Sequence, residues 1–390
     1  MRSTSRSVKF SSWVLMVVMA LVTAACGSDD GGEVRDIGES SGSASGSASA
    51  SGAASGSVSG SASGSASGVD GEVIGNLGGY TPVSDVSAHA KVVLDICDIN
   101  ELLPSDAAID YDAIRIIYEE GKSSVNSDGS VRTIAGFARS ERDEAIWNGY
   151  VDHYGDPTWL DTFVISAIDG TGPFAGEPDL VRRQGIQKGI QNQIMIAWVL
   201  HELVGALDKA EAGEFDPADG APHNWDEGWA FYHGEASDCA PYSTADKRGE
   251  NFGTGTAVND ALVDAFIRGV EALVAEDREV AAEAKDEIIR QITITYIQAT
   301  IRYAHQIDDA LADGDGESAR ISQAEGWGFF RVIEPLLAAA DPSAADAIAD
   351  RFDLSAGAPQ AASSEAVESA IESTYESLGI TAADVGELTG

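Results

Sequence analysis

The strongest constraint on this chain is a short stretch that it carries twice. The first copy is Glu227-Gly228-Trp229-Ala230-Phe231-Tyr232, and the second is Glu325-Gly326-Trp327-Gly328-Phe329-Phe330. Each copy follows a long run of helical spacing, residues 186–212 and 287–312, and each run ends in an acidic, Ala-rich tail. Self-similarity on this scale marks a repeated supersecondary unit. Alternating β-branched runs are scarce, whereas apolar residues at helical spacing recur throughout. The expected fold is therefore all-α, an internally duplicated helical bundle with two helix–loop–helix units at about 179–237 and 280–338.

Helical spacing and stop signals place the remaining elements. Helices are expected over 83–103, ending before Pro104, and over 110–121, stopped by Gly121. Further helices are expected over 132–147, 159–168 and 257–275, with shorter ones at 342–352, 364–378 and near Thr381. Gly185 and Gly189 interrupt the first long run, so a kink or close packing is expected there. The second Glu-Gly-Trp helix is expected to stop at Pro335.

The N-terminus speaks to compartment. Arg2, Arg6 and Lys9 precede a short apolar stretch, and Thr23-Ala24-Ala25-Cys26 follows. That pattern resembles a lipoprotein signal peptide over 1–25, cleaved before Cys26 with lipid on its thiol. Residues 26–68 are acidic and then almost wholly Gly, Ser and Ala. Such a segment buries too little apolar surface to fold and is expected to act as a tether. The all-α domain would occupy 69–390. Cys97 and Cys239 remain, and outside the cytoplasm a disulfide between them is expected. The net charge is −40. Cleavage before Cys26 would remove three cations and no acid, giving −43. So acidic a chain is an implausible partner for nucleic acid, which needs a basic surface.

Candidate ligands lie on the repeated units. Residues seven and eleven apart on a helix share a face, which groups His201 with Ile190 and Ile194. By the same spacing His305 lies with Ile294 and Ile301, and Asp308 follows one turn later. A buried imidazole needs partners for both ring nitrogens, and a metal is one such partner. The two histidines correspond only after a shift of about one turn, because Arg302 takes the place of His201 when the acidic tails are aligned. Glu227 and Glu325 open the apolar side of their helices, where a carboxylate is costly unless it is paired or bound to a cation. An alternative is helix capping, since Asn224-x-x-Glu227 and Ser322-x-x-Glu325 both fit a capping box. Capping explains neither the glycine that follows in each copy nor the tryptophan. Glu202, Asp226, His223, His233 and Glu334 form a second tier, and Tyr118, Tyr232 and Tyr303 could supply phenolates. His201-Glu202-Leu203-Val204-Gly205 lacks the second histidine of a zinc-protease helix. Carboxylates with imidazoles suit iron, with zinc or manganese possible.

These residues also carry a family resemblance. Asp226 to Tyr232, Glu325 to Phe330, Ile117-Tyr118-Glu119-Glu120-Gly121 and Lys247 to Thr254 resemble motifs of the algal iron-assimilatory, low-iron- or high-CO2-inducible periplasmic proteins. The likeness spans about 88–341. It implies a secreted protein of iron acquisition without an established enzymatic activity, with iron on Glu227 and Glu325. The lipobox and tether depart from the algal pattern and imply a bacterial, membrane-anchored relative that passes iron to a transporter. Two other readings stay open. One is a metal-dependent, imelysin-like hydrolase with Glu202 as base. The other is a metal-free helical interaction lipoprotein.

Overall fold

The structure is a computed structural model, and it describes residues 75–389. The segments expected as signal peptide and tether, and Cys26 with them, lie outside the described residues. The described residues form an all-α protein, whose β pairing is confined to two isolated bridges, Leu77 with Tyr80 and Val125 with Val131.

The helices run in order as α1 (Ser87–Ala90), α2 (Val92–Glu101), α3 (Tyr111–Glu120), α4 (Ile134–Arg139), α5 (Ala145–Tyr154) and α6 (Trp159–Asp169). Next come α7 (Asp179–Lys188), α8 (Met195–Ala212), α9 (Ala221–His233), α10 (Pro241–Asn251) and α11 (Ala257–Val274). The chain finishes with α12 (Arg278–Ala312), α13 (Gly316–Ala340), α14 (Pro342–Phe352), α15 (Ser363–Glu372), α16 (Tyr375–Leu378) and α17 (Ala382–Val385). Two packed pairs form the frame: α8 on α9, and α12 on α13. The 35-residue α12 also packs on α11 and α15, while α7 lies across α13. One apolar core runs through both pairs, with Trp198, Trp225 and Trp229 fully enclosed in it.

The long run that begins at Asp179 is two α-helices joined by a π turn, Gly189–Ile194. Close packing accounts for its glycines. A Cβ at Gly185 would sit 2.4 Å from the Phe174 ring, and one at Gly189 would sit 2.7 Å from Val164.

Three local expectations are corrected. The helix expected over 132–147 is broken, because α4 ends at Arg139 and α5 starts at Ala145. Ser140 is extended, and its hydroxyl donates to the carbonyl of Gly136, which ends the turn. Neither Glu227 nor Glu325 caps a helix. α9 already starts at Ala221 behind Gly220, with Pro222 in its first turn, where its missing N–H costs nothing. α13 starts at Gly316, and Asp315 is its cap, accepting from the Ser318 amide at 3.0 Å. Both glutamates are thus mid-helix residues. Finally, α13 does not stop at Pro335 but continues to Ala340. Proline removes the donor that would serve the Arg331 carbonyl one turn earlier. The Tyr154 hydroxyl donates to that carbonyl instead at 3.1 Å, and Tyr150 donates to the Val332 carbonyl at 2.6 Å.

Cys97 on α2 and Cys239 beyond α9 are joined by a disulfide across 142 residues of sequence. This ties the N-terminal helices to the end of the first Glu-Gly-Trp helix.

Candidate functional site

The first copy lies where α8 and α9 pack face to face. Glu202 and Glu227 both point into that interface and are 2 % and 3 % exposed. Their carboxyl groups face each other. Burial, and then the charge of Glu227, push the Glu202 pKa well above the ordinary carboxylate range. The Asn224 side-chain amide donates to Oε2 of Glu202 at 2.7 Å.

Two imidazoles approach the same oxygen of Glu227. His223, one turn earlier on α9, places Nε2 3.0 Å from Oε1. His89, at the end of the N-terminal segment, places Nδ1 3.3 Å from it. Burial holds the His89 pKa well below its usual value, with Arg132 and His223 adding to the effect, so this imidazole is neutral at pH 7. The Phe231 ring meets His89 edge-on at 5.7 Å. These donors are linked pairwise through Glu227. Among the described residues, no group of three or more His, Cys, Asp or Glu side chains stands ready around a common point to hold a metal.

Asp226 is adjacent in sequence but serves another purpose. It accepts from the Tyr80 hydroxyl, the amides of Val83 and Ser84 at 2.9 and 2.8 Å, and the Ser84 hydroxyl at 2.7 Å. All its donors come from the strap before α1, so Asp226 pins that strap onto α9. Trp229 holds the same strap, its indole N–H donating to the Leu77 carbonyl at 3.1 Å.

The second copy places Glu325 in a different setting. Lys188, at the end of α7, puts its ammonium 2.9 Å from Oε1 of Glu325, and the Tyr303 hydroxyl donates to that oxygen at 2.6 Å. Burial alone would raise the Glu325 pKa, but Lys188, Tyr303 and Arg248 more than offset it and hold the pKa below its usual value. Gly328 permits this arrangement. A Cβ there would lie 2.6 Å from the Lys188 Cβ, so the second glycine of this copy lets α7 come close.

The remaining candidates are dispersed. His201 is buried, but its Nδ1 faces Glu144 of the α4–α5 loop at 2.7 Å, between Trp147 and Trp198. His305 does not share the buried setting of His201. Its side chain is 37 % exposed and meets Glu368 of α15 at 2.7 Å. The end of α12 has left the core there, and Asp308 caps α15 through the amides of Ser363 and Ser364, each at 2.9 Å. Glu334 faces Tyr154 and His153. His233 stacks on Trp229, Tyr118 donates to Asp161 and Tyr232 donates to Asn259. Of the sequence candidates, the structure thus brings together Glu227 and, from the second tier, Glu202 and His223. Sequence reasoning missed His89, which is remote in sequence and sits in a four-residue turn without periodicity. It also missed Lys188 and Arg248, which only helix packing brings to Glu325.

The chain belongs to the family of low iron-inducible periplasmic proteins, whose profile matches residues 49–390. No curated protein and no solved structure matches it. The family's description is extracytoplasmic and iron-related. Among the described residues, no helix is long and apolar enough to cross a membrane.

Proposed function

We propose that this protein takes part in iron acquisition outside the cytoplasm and holds iron at the first Glu-Gly-Trp copy, through Glu227, Glu202, His89 and His223. One observation carries this reading: two imidazoles stand 3.0 and 3.3 Å from one oxygen of a buried pair of facing carboxyl groups. Donor atoms about 2.1 Å from one metal ion lie roughly 3 Å from each other, so side-chain rotation of these neighbours about Glu227 would bring them onto a common ion. The donor set also fits chemically. The His89 imidazole is neutral, as a ligand must be, and the proton that burial favours on Glu202 would leave when a cation takes its place. Oxygen and imidazole donors suit iron, manganese or zinc. Glu325 is not part of this set, because the ammonium of Lys188 already neutralises it and repels a cation. Cys26 would carry the lipid that keeps the domain at a membrane, within reach of a transporter.

The test is metal content of the full mature chain, purified without a metal-binding tag and then loaded with iron. We expect about one iron per chain in the wild type and in Glu325→Gln, and little in Glu227→Gln or His89→Ala. Zinc in place of iron would support the hydrolase reading. Equal iron in all four proteins would remove the site.

A further inference from the structure

A cavity of about 340 Å³ opens beside the second copy, between α7, α10 and α13. Four cations line it, Arg183, Lys188, Lys247 and Arg248, against two acids, Asp238 and Glu325. The chain as a whole has 24 Lys and Arg against 64 Asp and Glu, so this lining reverses its composition. The gathering is not explained by Glu325, which already takes Lys188 and the Tyr303 hydroxyl. Arg248 is the informative residue. It is 7 % exposed, yet its Nε and Nη1 are buried without a hydrogen-bond partner. The Arg183 Nε is in the same condition. Buried guanidinium donors left unmade are costly, and a ligand that accepts them removes the cost.

We propose that this cavity binds a small multivalent oxyanion, a polycarboxylate or a phosphate. Arg248 would supply the planar fork of donors that matches two oxygens of one carboxylate or phosphate. Lys188 and Lys247 add charge without fixing orientation. The volume lies at the small end of ligand pockets, which suits an anion of citrate size or below. Glu325 and Asp238 limit the net positive charge, so monovalent anions gain little there. The inference does not use the iron site, and the iron site can fail without it.

Calorimetric titration of the full mature, iron-free chain tests this, with citrate, inorganic phosphate and, as a monovalent control, acetate. We expect saturable binding of citrate or phosphate at least roughly ten-fold tighter than that of acetate, and the better of the two names the source. Arg248→Gln should weaken binding by about ten-fold or more. Lys247 is exposed, so Lys247→Glu keeps the fold intact and should weaken binding several-fold. Glu227→Gln should leave it unchanged. Absence of saturable binding in the wild type, or wild-type affinity in both Arg248→Gln and Lys247→Glu, overturns the proposal.

Discussion

At the first Glu-Gly-Trp copy, Glu227 faces a second carboxyl group and two imidazoles. At the second, Glu325 faces an ammonium and a phenol, with a guanidinium close by. Six residues of nearly the same sequence thus carry the same acid into opposite fields. The glycines differ as well. A Cβ at Gly228 would meet its nearest neighbour, Phe266, at an ordinary 3.5 Å, whereas one at Gly326 would lie 2.1 Å from the Phe352 ring. The first copy holds a carboxyl group, Glu202, whose protonated form burial favours. The second has its charge already balanced by protein. A repeated motif therefore sets where a carboxylate enters the core, and the helices packed over it set what that carboxylate can bind.

The disulfide is the harshest way to break this comparison. It holds α2, and with it the nearby His89, against the chain beyond α9, and it lies beside Asp238 at the edge of the cavity that Glu325 lines. Replacing both cysteines by serine should cost about 2–4 kcal/mol in denaturant unfolding. It should also weaken iron binding at the first copy more than anion binding at the cavity, whose cations lie on α7 and α10. Equal damage at both places would mean that the copies are mechanically one unit.

Charge neutralisation comes next. Glu325→Gln leaves Lys188 without its counter-ion and should cost roughly 3 kcal/mol at pH 7. Because the folded-state pKa of Glu325 is depressed, its contribution is present above the ordinary glutamate pKa and is lost as pH falls through the folded value. The mutant and wild type should therefore converge in acid. Glu202 has the opposite sign. Its folded-state pKa is raised, so its contribution is present in acid and lost as pH rises towards the folded value. Glu202→Gln keeps a donor towards Glu227 at every pH and should stay within about 1 kcal/mol of wild type at pH 7. Thermal unfolding across pH reads both, and a large gain in stability in Glu202→Gln at pH 7 would show that the carboxyl pair is fully ionised.

The glycines give the smallest contrast. Gly326→Ala drives a methyl group into Phe352 and should cost about 1–3 kcal/mol. Gly228→Ala has ordinary space and gains helix propensity, so it should be neutral or stabilising by up to about 1 kcal/mol. Chemical denaturation of the pair measures the difference directly. The reverse order would place the tighter packing at the first copy.

The sequence by itself determined the helical class, the inward placement of Glu227 and Glu325, and the stop of α3 at Gly121, because these depend on periodicity and on local backbone chemistry. Residues three and four apart share a helix face whatever the chain packs against. It did not determine that α9 and α13 start several residues before their glutamates. The capping-box pattern also fits a helix interior, and only the preceding turn shows which case holds. Nor could periodicity show that α13 passes through Pro335, since the hydroxyl that replaces the lost donor belongs to Tyr154, far earlier in the chain. Tertiary structure decided the character of each site. His89 reaches Glu227 across 138 positions, and Lys188 reaches Glu325 across 137, through contacts between helices that no local pattern encodes. The field at a buried carboxylate comes from whatever packs within a few ångströms of it, and for these two glutamates those neighbours come mostly from distant parts of the sequence.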